Sequence, residues 1–236
     1  MIVLSIDTCD SRGSIALLHD RSVEQLIPHA TEDEYSSWLL PNVNQALKWM
    51  DLSMKDVDGY AVAAGPGSFT GLRVGLTTVK AWAEVYRRPV VAVSRLEAIA
   101  AQADGPGDYV GAFLDARRGQ VFGAVYQKEG PALSLVGEEV VMELREFVHT
   151  AAKIAGLDGI SWVSPDASLL DEAVLEWRKR LGETVDQASS SLAGIIGRIG
   201  LLRLQEGKTT DALRLDANYV RRSDAEIFWK GAAHGH

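Results

Sequence analysis

The stretch Ala63–Trp82, AAGPGSFTGLRVGLTTVKAW, decides how the rest of the chain is read. It starts at the end of an apolar run, Tyr60 to Ala64. It passes through Gly65, Pro66, Gly67, Ser68, Phe69, Thr70 and Gly71, and becomes helix-like from Leu72. Strand, tight glycine loop and helix in that order aim backbone N–H groups into the space above a strand end. Such a loop either holds an anion or lets another backbone come very close. It is not a phosphate-binding P-loop, because no Gly-Lys-Ser/Thr follows. Gly65, Gly67 and Gly71 miss the GxGxxG dinucleotide spacing by one residue. Ser68 lies between Pro66 and Thr70, which is not the setting of a hydrolase nucleophile elbow. Chemistry alone reads the loop as a packing device, with an anion site as the alternative.

Working outward, the helix that follows runs from about Gly71 to Tyr86. Gly71 and Gly75 share a face, continued by Val79 and Trp82. A glycine inside a helix costs about 1 kcal/mol relative to alanine, so another backbone is expected close by. That neighbour is either the lobe's own sheet or a partner helix, and the partner helix is the reading carried forward. Upstream, residues 34–50 form a first long helix, with Thr31 and Glu34 as a capping box and Pro41 expected to kink or restart it. At 100° per residue its apolar side chains sweep roughly 200°, twice the width that one-sided packing needs. Trp38 and Trp49 stand at the edge of that arc, so one helix face is expected to bury a partner. Two-fold pairing of the same patch then predicts a homodimer of the isolated chain.

Ile2–Asp7, Ser14–Leu18 and Ser22–Ile27 read as three successive strands, Gly59–Ala64 and Val90–Val93 as two more, with a helix at 95–102. Asp104-Gly105-Pro106-Gly107-Asp108 is the clearest linker, and it divides an N-terminal lobe, 1–104, from a C-terminal lobe, 105–236. The second lobe reads as strands at 109–115, 119–127, 132–141 and 160–164 and helices at 143–155, 168–181 and 189–206, with Gly194 to Gly200 spaced as small packing residues. Ala217–Arg222 closes the fold, and the last residues, 217–236, pack back on the first lobe or fray. A faint repeat joins the lobes. Leu4-Ser5-Ile6-Asp7 leads through Arg12-Gly13 to Ile15–Leu18, and Ala112-Phe113-Leu114-Asp115 leads through Arg118-Gly119 to Val121–Tyr126. Paired hairpins ending in Asp resemble the α/β two-lobed actin/hexokinase/Hsp70-like (ASKHA) fold with mixed sheets. There the turns face a nucleotide cleft, which would put Asp7, Thr8 and Asp115 at its wall. Read without that resemblance, both aspartates cap their own turns.

Composition narrows the function classes. With 47% hydrophobic and 24% charged residues the 236-residue chain can bury one or two cores. A net charge of −8 argues against a main tRNA-binding surface and for acidic patches that meet a basic partner. The single cysteine, Cys9, forms no intramolecular disulfide and suits a reducing cytoplasm; it reads as a small buried or turn residue. No targeting segment and no apolar run of ~18 residues shows, so no membrane is expected. His19, His29, His149, His234 and His236 have no ligand spacing, so no metal and no tightly bound cofactor is expected.

The string GPGSFTGLRVGLTTVKA resembles the GPGSFTGxRxG signature of the bacterial TsaB (YeaZ) family, a subunit of the machinery that makes threonylcarbamoyladenosine (t6A) on tRNA. IVLSIDT at the start, FLDARRGQVFGAVY and NYVRR are further landmarks, so the resemblance spans nearly the whole chain. It implies a non-catalytic subunit that binds and activates the catalytic TsaD subunit, with contact to an ATP-hydrolysing TsaE subunit. ATP would be used by the complex, and tRNA would be reached through the complex, at adenine 37. The implied partner surface lies on the two N-lobe helices: Tyr35, Trp38, Leu39, Asn42 and Trp49 on the first, Gly71, Arg73, Gly75, Thr78, Val79 and Trp82 on the second. The catalytic relatives carry an HxxxH pair on the first long helix; no histidine stands there in this chain. Tyr35 occupies a position that is often histidine in the family, a departure compatible with an interface and not with a metal ligand. The alternative function is a stand-alone ATP-dependent small-molecule kinase of the same fold.

Overall fold

A computed structural model describes residues 1–29, 32–130, 132–156, 158–170, 183–218 and 220. The first sheet is built from β1 (Ile2–Asp7), β2 (Ser14–His19), β3 (Ser22–Pro28), β4 (Gly59–Ala63) and β5 (Val90–Val93), in the order β3-β2-β1-β4-β5. β1 pairs antiparallel with β2 and parallel with β4, which pairs parallel with β5. β1 and β4 read as nearly unbroken apolar runs because both of their faces are buried. The edge strand β3 alternates instead between half-buried and exposed positions.

The second sheet repeats this plan. β6 (Tyr109–Arg117), β7 (Gln120–Glu129), β8 (Ala132–Glu143), β9 (Ile160–Ser164) and β10 (Val185–Gln187) lie in the order β10-β9-β6-β7-β8. β6 pairs antiparallel with β7 and parallel with β9, as β1 does with β2 and β4. The hairpin repeat read from Asp7 and Asp115 is thus the seam of a duplicated five-stranded unit. β10 was not expected from the sequence, and the helix expected at 168–181 falls mostly outside the described residues. So do Thr31 of the capping box and much of the segment 217–222.

Among the described residues, five helices cover the sheets: α1 (Tyr35–Trp49), α2 (Phe69–Tyr86), α3 (Arg95–Ala100), α4 (Leu144–Ala155) and α5 (Ala193–Gln205). α1 and α2 pack on one face of the first sheet, and α4 packs on the second. The remaining two exchange places. α3, which closes the first unit, packs on β6, β7, β8 and β9, while α5, which closes the second, lies across β1, β2, β4 and β5. The small residues read at Gly194–Gly200 make that crossing close. A Cβ on Gly197 would run into Leu18, and one on Gly200 into Ala61. Described residues beyond α5 return to the first sheet: Thr210 bridges Val90 in β5, the Asn218 amide donates to the Ala64 carbonyl, and Leu215 is fully buried. The division at residue 104 therefore needs correcting. Residues 193–218 belong with the first lobe, because an apolar helix between two sheets buries more surface than one on a lobe's outside.

α1 does not restart at Pro41 and runs on as one helix. Pro41 lies on the exposed side, where giving up one backbone hydrogen bond to water costs less than a break in the core. The apolar arc of α1 is used mainly at home: Trp38, Leu39, Val43, Ala46 and Leu47 are buried. Leu40 and Trp49 remain outside, 54% and 73% exposed.

Candidate functional site

Many polar contacts of the first lobe converge on the β1–β2 turn, Asp7 to Gly13. Asp7 is fully buried, and its carboxylate accepts hydrogen bonds from the Cys9 amide at 2.9 Å and from Arg95 Nε at 3.1 Å. Arg95, at the first position of α3, is 1% exposed; it also donates to Asp10 Oδ2 at 2.7 Å and to the Pro66 carbonyl at 3.2 Å. Burial opposes the charge of Arg95, but the carboxylates of Asp7 and Asp10 outweigh it and raise the pKa above its ordinary value. Burial likewise opposes the charge of Asp10, and Arg95 wins, holding that carboxyl below the usual range. Cys9 is buried and its thiol is pushed up, by burial and then by Asp7, so it is a packing residue.

The glycine loop docks onto this turn. The Ser68 amide donates to the Cys9 carbonyl at 2.5 Å, and the Thr8 hydroxyl donates to the Gly71 carbonyl at 2.7 Å. A Cβ on Gly67 or Gly71 would collide with the backbone of Cys9 or Thr8, and one on Gly75 would sit 2.5 Å from the Thr8 hydroxyl oxygen. The loop is thus a device for close packing, and the neighbour of the Gly71–Gly75 face is the lobe's own turn. This corrects the partner-helix reading of that face: β1 ends beneath α2, and only glycine lets the two backbones meet. Val79, on the same face, is buried as well. Within the loop, Gly65 and Pro66 are buried, Gly67 and Phe69 half-buried, and Ser68 and Thr70 exposed, with Ser68 capping α2 by accepting from the Gly71 amide.

Two further ties complete the arrangement. The Tyr35 hydroxyl accepts from the Gly13 amide at 2.9 Å and donates to the Asp10 carbonyl, pinning the first residue of α1 to the turn. Its ring stacks with His29, centroids 4.3 Å apart, and His29 meets Trp38 edge-on. Trp38 is therefore part of the aromatic support under α1 rather than of an outer face. Across the lobes, Arg12 forms a two-pronged pair with Asp166, at 2.7 and 3.3 Å, and Asp166 Oδ2 also accepts from the Asp115 amide at 2.9 Å.

The proposed cleft residues differ in their exposure. Asp7 and Thr8 are buried and engaged, so neither lines an accessible nucleotide site; this corrects their reading as cleft wall. Asp115 is half-exposed and borders a hollow of about 500 Å³ on the C-lobe, where Arg117, Arg118 and Arg145 mix with Glu143. Among the described residues, no three His, Cys, Asp or Glu side chains cluster as metal ligands would, and no helix is long and apolar enough to cross a membrane.

An open feature of the first lobe is a groove of about 420 Å³ between α1 and α2, lined by Tyr35, Ser36, Leu39, Leu40, Arg73, Val74, Thr77 and Thr78. Four residues of the expected partner surface meet here: Tyr35, Leu39, Arg73 and Thr78. Arg73 lies over the Phe69 ring, 3.7 Å from its centroid, which holds a charge at the groove's rim. Asn42 donates back to the Trp38 carbonyl, Trp82 is half-buried against Tyr60, and Trp49 is exposed at the far end of α1.

A family model described as "TsaD: tRNA N6-adenosine threonylcarbamoyltransferase" matches residues 17–160. A relative from Escherichia coli (strain K12), "tRNA threonylcarbamoyladenosine biosynthesis protein TsaB", is 31% identical over 244 residues, covering 98% of this chain and 97% of that protein. The chain belongs to the TsaB family. A relative of the same name from Bacillus subtilis (strain 168) is 36% identical over 143 residues; the match takes in 60% of this chain and 62% of that one. Among solved structures, "YeaZ from Pseudomonas aeruginosa" has a TM-score of 0.69 at 23% identity, covering 92% of this chain and 99% of that one. ROK hexokinase from Thermus thermophilus has a TM-score of 0.51 at 13% identity, covering 86% of this chain and 100% of that one. These structures establish the fold, a two-lobed actin/hexokinase-like (ASKHA) architecture of mixed sheets.

Within this TsaB-family fold, sequence reasoning missed Asp10, Arg12, Arg95 and Asp166. One signal was present: Arg95 opens a helix whose Leu96, Ala98, Ile99 and Ala100 are apolar, and a charge at the head of a mostly buried helix needs a partner. Asp166, 154 residues from Arg12, carried no such sign.

Proposed function

We propose that this chain acts in tRNA threonylcarbamoyladenosine biosynthesis as a non-catalytic subunit. It binds a TsaD-like catalytic subunit and holds it competent for threonylcarbamoyl transfer to adenine 37 of tRNA. The observation that carries this reading is the open α1–α2 groove. It has an apolar lining at Leu39, Leu40 and Val74 and a charged rim at Arg73. The names of the curated relatives support the pathway, and the groove supports a docking role. Contact with a TsaE-like ATPase, ATP use by the complex rather than by this chain, access to tRNA through the complex, and a cytoplasmic setting belong to the same proposal. Self-pairing through the groove in the absence of the catalytic subunit is also part of it. The kinase alternative draws no support from Asp7 and Thr8, whose polar groups are spent on Arg95, the Cys9 amide and Gly71.

The test is reconstitution with the TsaD-family subunit of the same genome. Modified adenine should appear in tRNA only when both chains are present. Leu40→Glu and Arg73→Glu should each weaken their association about tenfold or more while the thermal midpoint stays within a degree or two. Association indifferent to both substitutions would remove the groove from the proposal. Steady ATP turnover by the isolated chain would favour the kinase.

A further inference from the structure

We infer that Arg73 pairs with a carboxylate of the docking partner, and that Phe69 is a positioning residue that holds Arg73 for that pairing. The inference deepens the docking reading above and rests on it. The glycines of the signature string are accounted for by the close approach of Thr8 and Cys9, and Ser68 by the cap it gives α2. Neither role uses the Phe69 ring or the Arg73 charge. The two residues stand four apart on α2, so they share a face of the helix. The guanidinium carbon of Arg73 lies 3.7 Å from the centre of the Phe69 ring. Arginine stacks on aromatic faces through its plane, and that leaves the N–H groups on its edge to reach a carboxylate.

The rest of the groove sets the chemistry of what Arg73 can meet. Leu39, Leu40 and Val74 are apolar, and the Thr78 hydroxyl already donates to the Val74 carbonyl. Among the described residues, no carboxylate pairs with Arg73. Its side chain is exposed, so water satisfies the charge. Docking on the groove takes that water away. A guanidinium covered without a counter-charge is costly, so a partner that binds here must bring the acceptor. A carboxylate carries one charge and matches one cation, whereas a phosphate monoester brings nearly twice that. The partner surface is therefore apolar, with an Asp or Glu placed to meet Arg73. Phe69 makes that meeting easier. An arginine that moves freely in water loses rotamer freedom when it pairs, and one already held over a ring loses less.

The test measures association of the full chain with the TsaD-family subunit of the same genome, beside the thermal midpoint of each variant. Arg73→Met keeps the apolar stem and removes the charge. Association should weaken about tenfold or more, because the partner's carboxylate is left stranded. Phe69→Leu should weaken it about two- to fivefold, the span of an exposed ring–cation contact. Phe69→Tyr keeps a ring and should bind as the parent does. In the Arg73→Met background Phe69→Leu should cost no further affinity, whatever it does to melting, since the ring then has no charge to hold. A merely structural Phe69 would lower affinity alike in both backgrounds. In the catalytic subunit, one Asp→Asn or Glu→Gln substitution should weaken binding to the parent and leave binding to the Arg73→Met variant unchanged. Arg73→Met within about twofold of the parent, additive losses at Phe69, or the lack of any such acidic position overturns the inference. Leu40→Glu is the control for the groove itself. If it leaves association intact, the docking reading fails and this inference with it. If it weakens association while Arg73→Met does not, this inference alone fails.

Discussion

The two hairpin turns, Asp7–Gly13 and Asp115–Gly119, stand at the same place in two sheets of the same strand order, yet they do opposite work. The first is sunk between helices. Its aspartate is fully buried, is paired to an arginine that is 1% exposed, and sits under the glycines of the signature loop. The second reaches into solvent. Asp115 is 29% exposed, its ion-pair partner Arg117 is 82% exposed at 3.5 Å, and Arg117, Arg118 and Gly119 all take left-handed backbone conformations at the tip. The difference teaches that duplicated topology does not fix the role of a copied residue. What decides the role is whether a helix start is packed over the turn, because only then must a charge be matched in the absence of water.

The comparison breaks most visibly at Arg95. Arg95→Met keeps the volume roughly constant but leaves Asp7 buried without its counter-charge, and should cost about 3–5 kcal/mol of stability. The matching change in the other copy, Arg117→Met, removes an exposed pair and should stay within about 0.5 kcal/mol. Urea unfolding of the two variants beside the parent gives both numbers. Equal losses would mean that the turns are not differentiated as described.

A smaller effect is expected on the helix above the first turn. Gly75→Leu adds a side chain where Thr8 leaves no room, so it should lower stability by about 1–3 kcal/mol. The gain in helix propensity, under about 1 kcal/mol, offsets only part of that. Affinity for the catalytic subunit should persist in the fraction that folds, since the strain is internal to the lobe. Unchanged melting with affinity lost would instead restore the face to the interface.

Much of this was legible in the sequence, for reasons that can be traced. The strands β1 and β4 and the loop between β4 and α2 announce themselves, because burial on both faces forces apolar runs and close packing forces glycine. The repeat was visible because each hairpin ends in Asp and turns on Arg-Gly. The exchange of α3 and α5 between sheets was not. An apolar helix records that it is buried, not which sheet buries it. For the same reason the wide arc on α1 was overread. Trp38 supplies apolar character to that arc, but its ring is spent against His29 and Tyr35, whereas Leu40 and Trp49 do remain exposed. Within the candidate site, Tyr35, Leu39, Arg73 and Thr78 were identified from the two helices. The Arg12–Asp166 tie was not, because a contact spanning 154 residues leaves no local pattern.

A small effect is expected at Asp115, and it sharpens the comparison most finely. Asp115 Oδ1 accepts from the Arg117 amide at 2.7 Å, a local turn contact of the same kind that Asp7 makes with Cys9. Asp115→Ala removes that contact and the screened pair with Arg117. In a half-exposed turn water replaces both, so the loss should be about 0.5–1 kcal/mol. Asp115 does not line the α1–α2 groove, so association through it should be unchanged. Asp7→Ala makes the same chemical change in the other copy. It strands the Arg95 guanidinium in the core and should cost about 3–5 kcal/mol. Thermal melts of the two alanine variants, with association measured on the folded chains, compare one substitution in two copies of one motif. If Asp115→Ala alone disturbs association, the second turn bears on the groove, and the asymmetry drawn between the two turns does not hold.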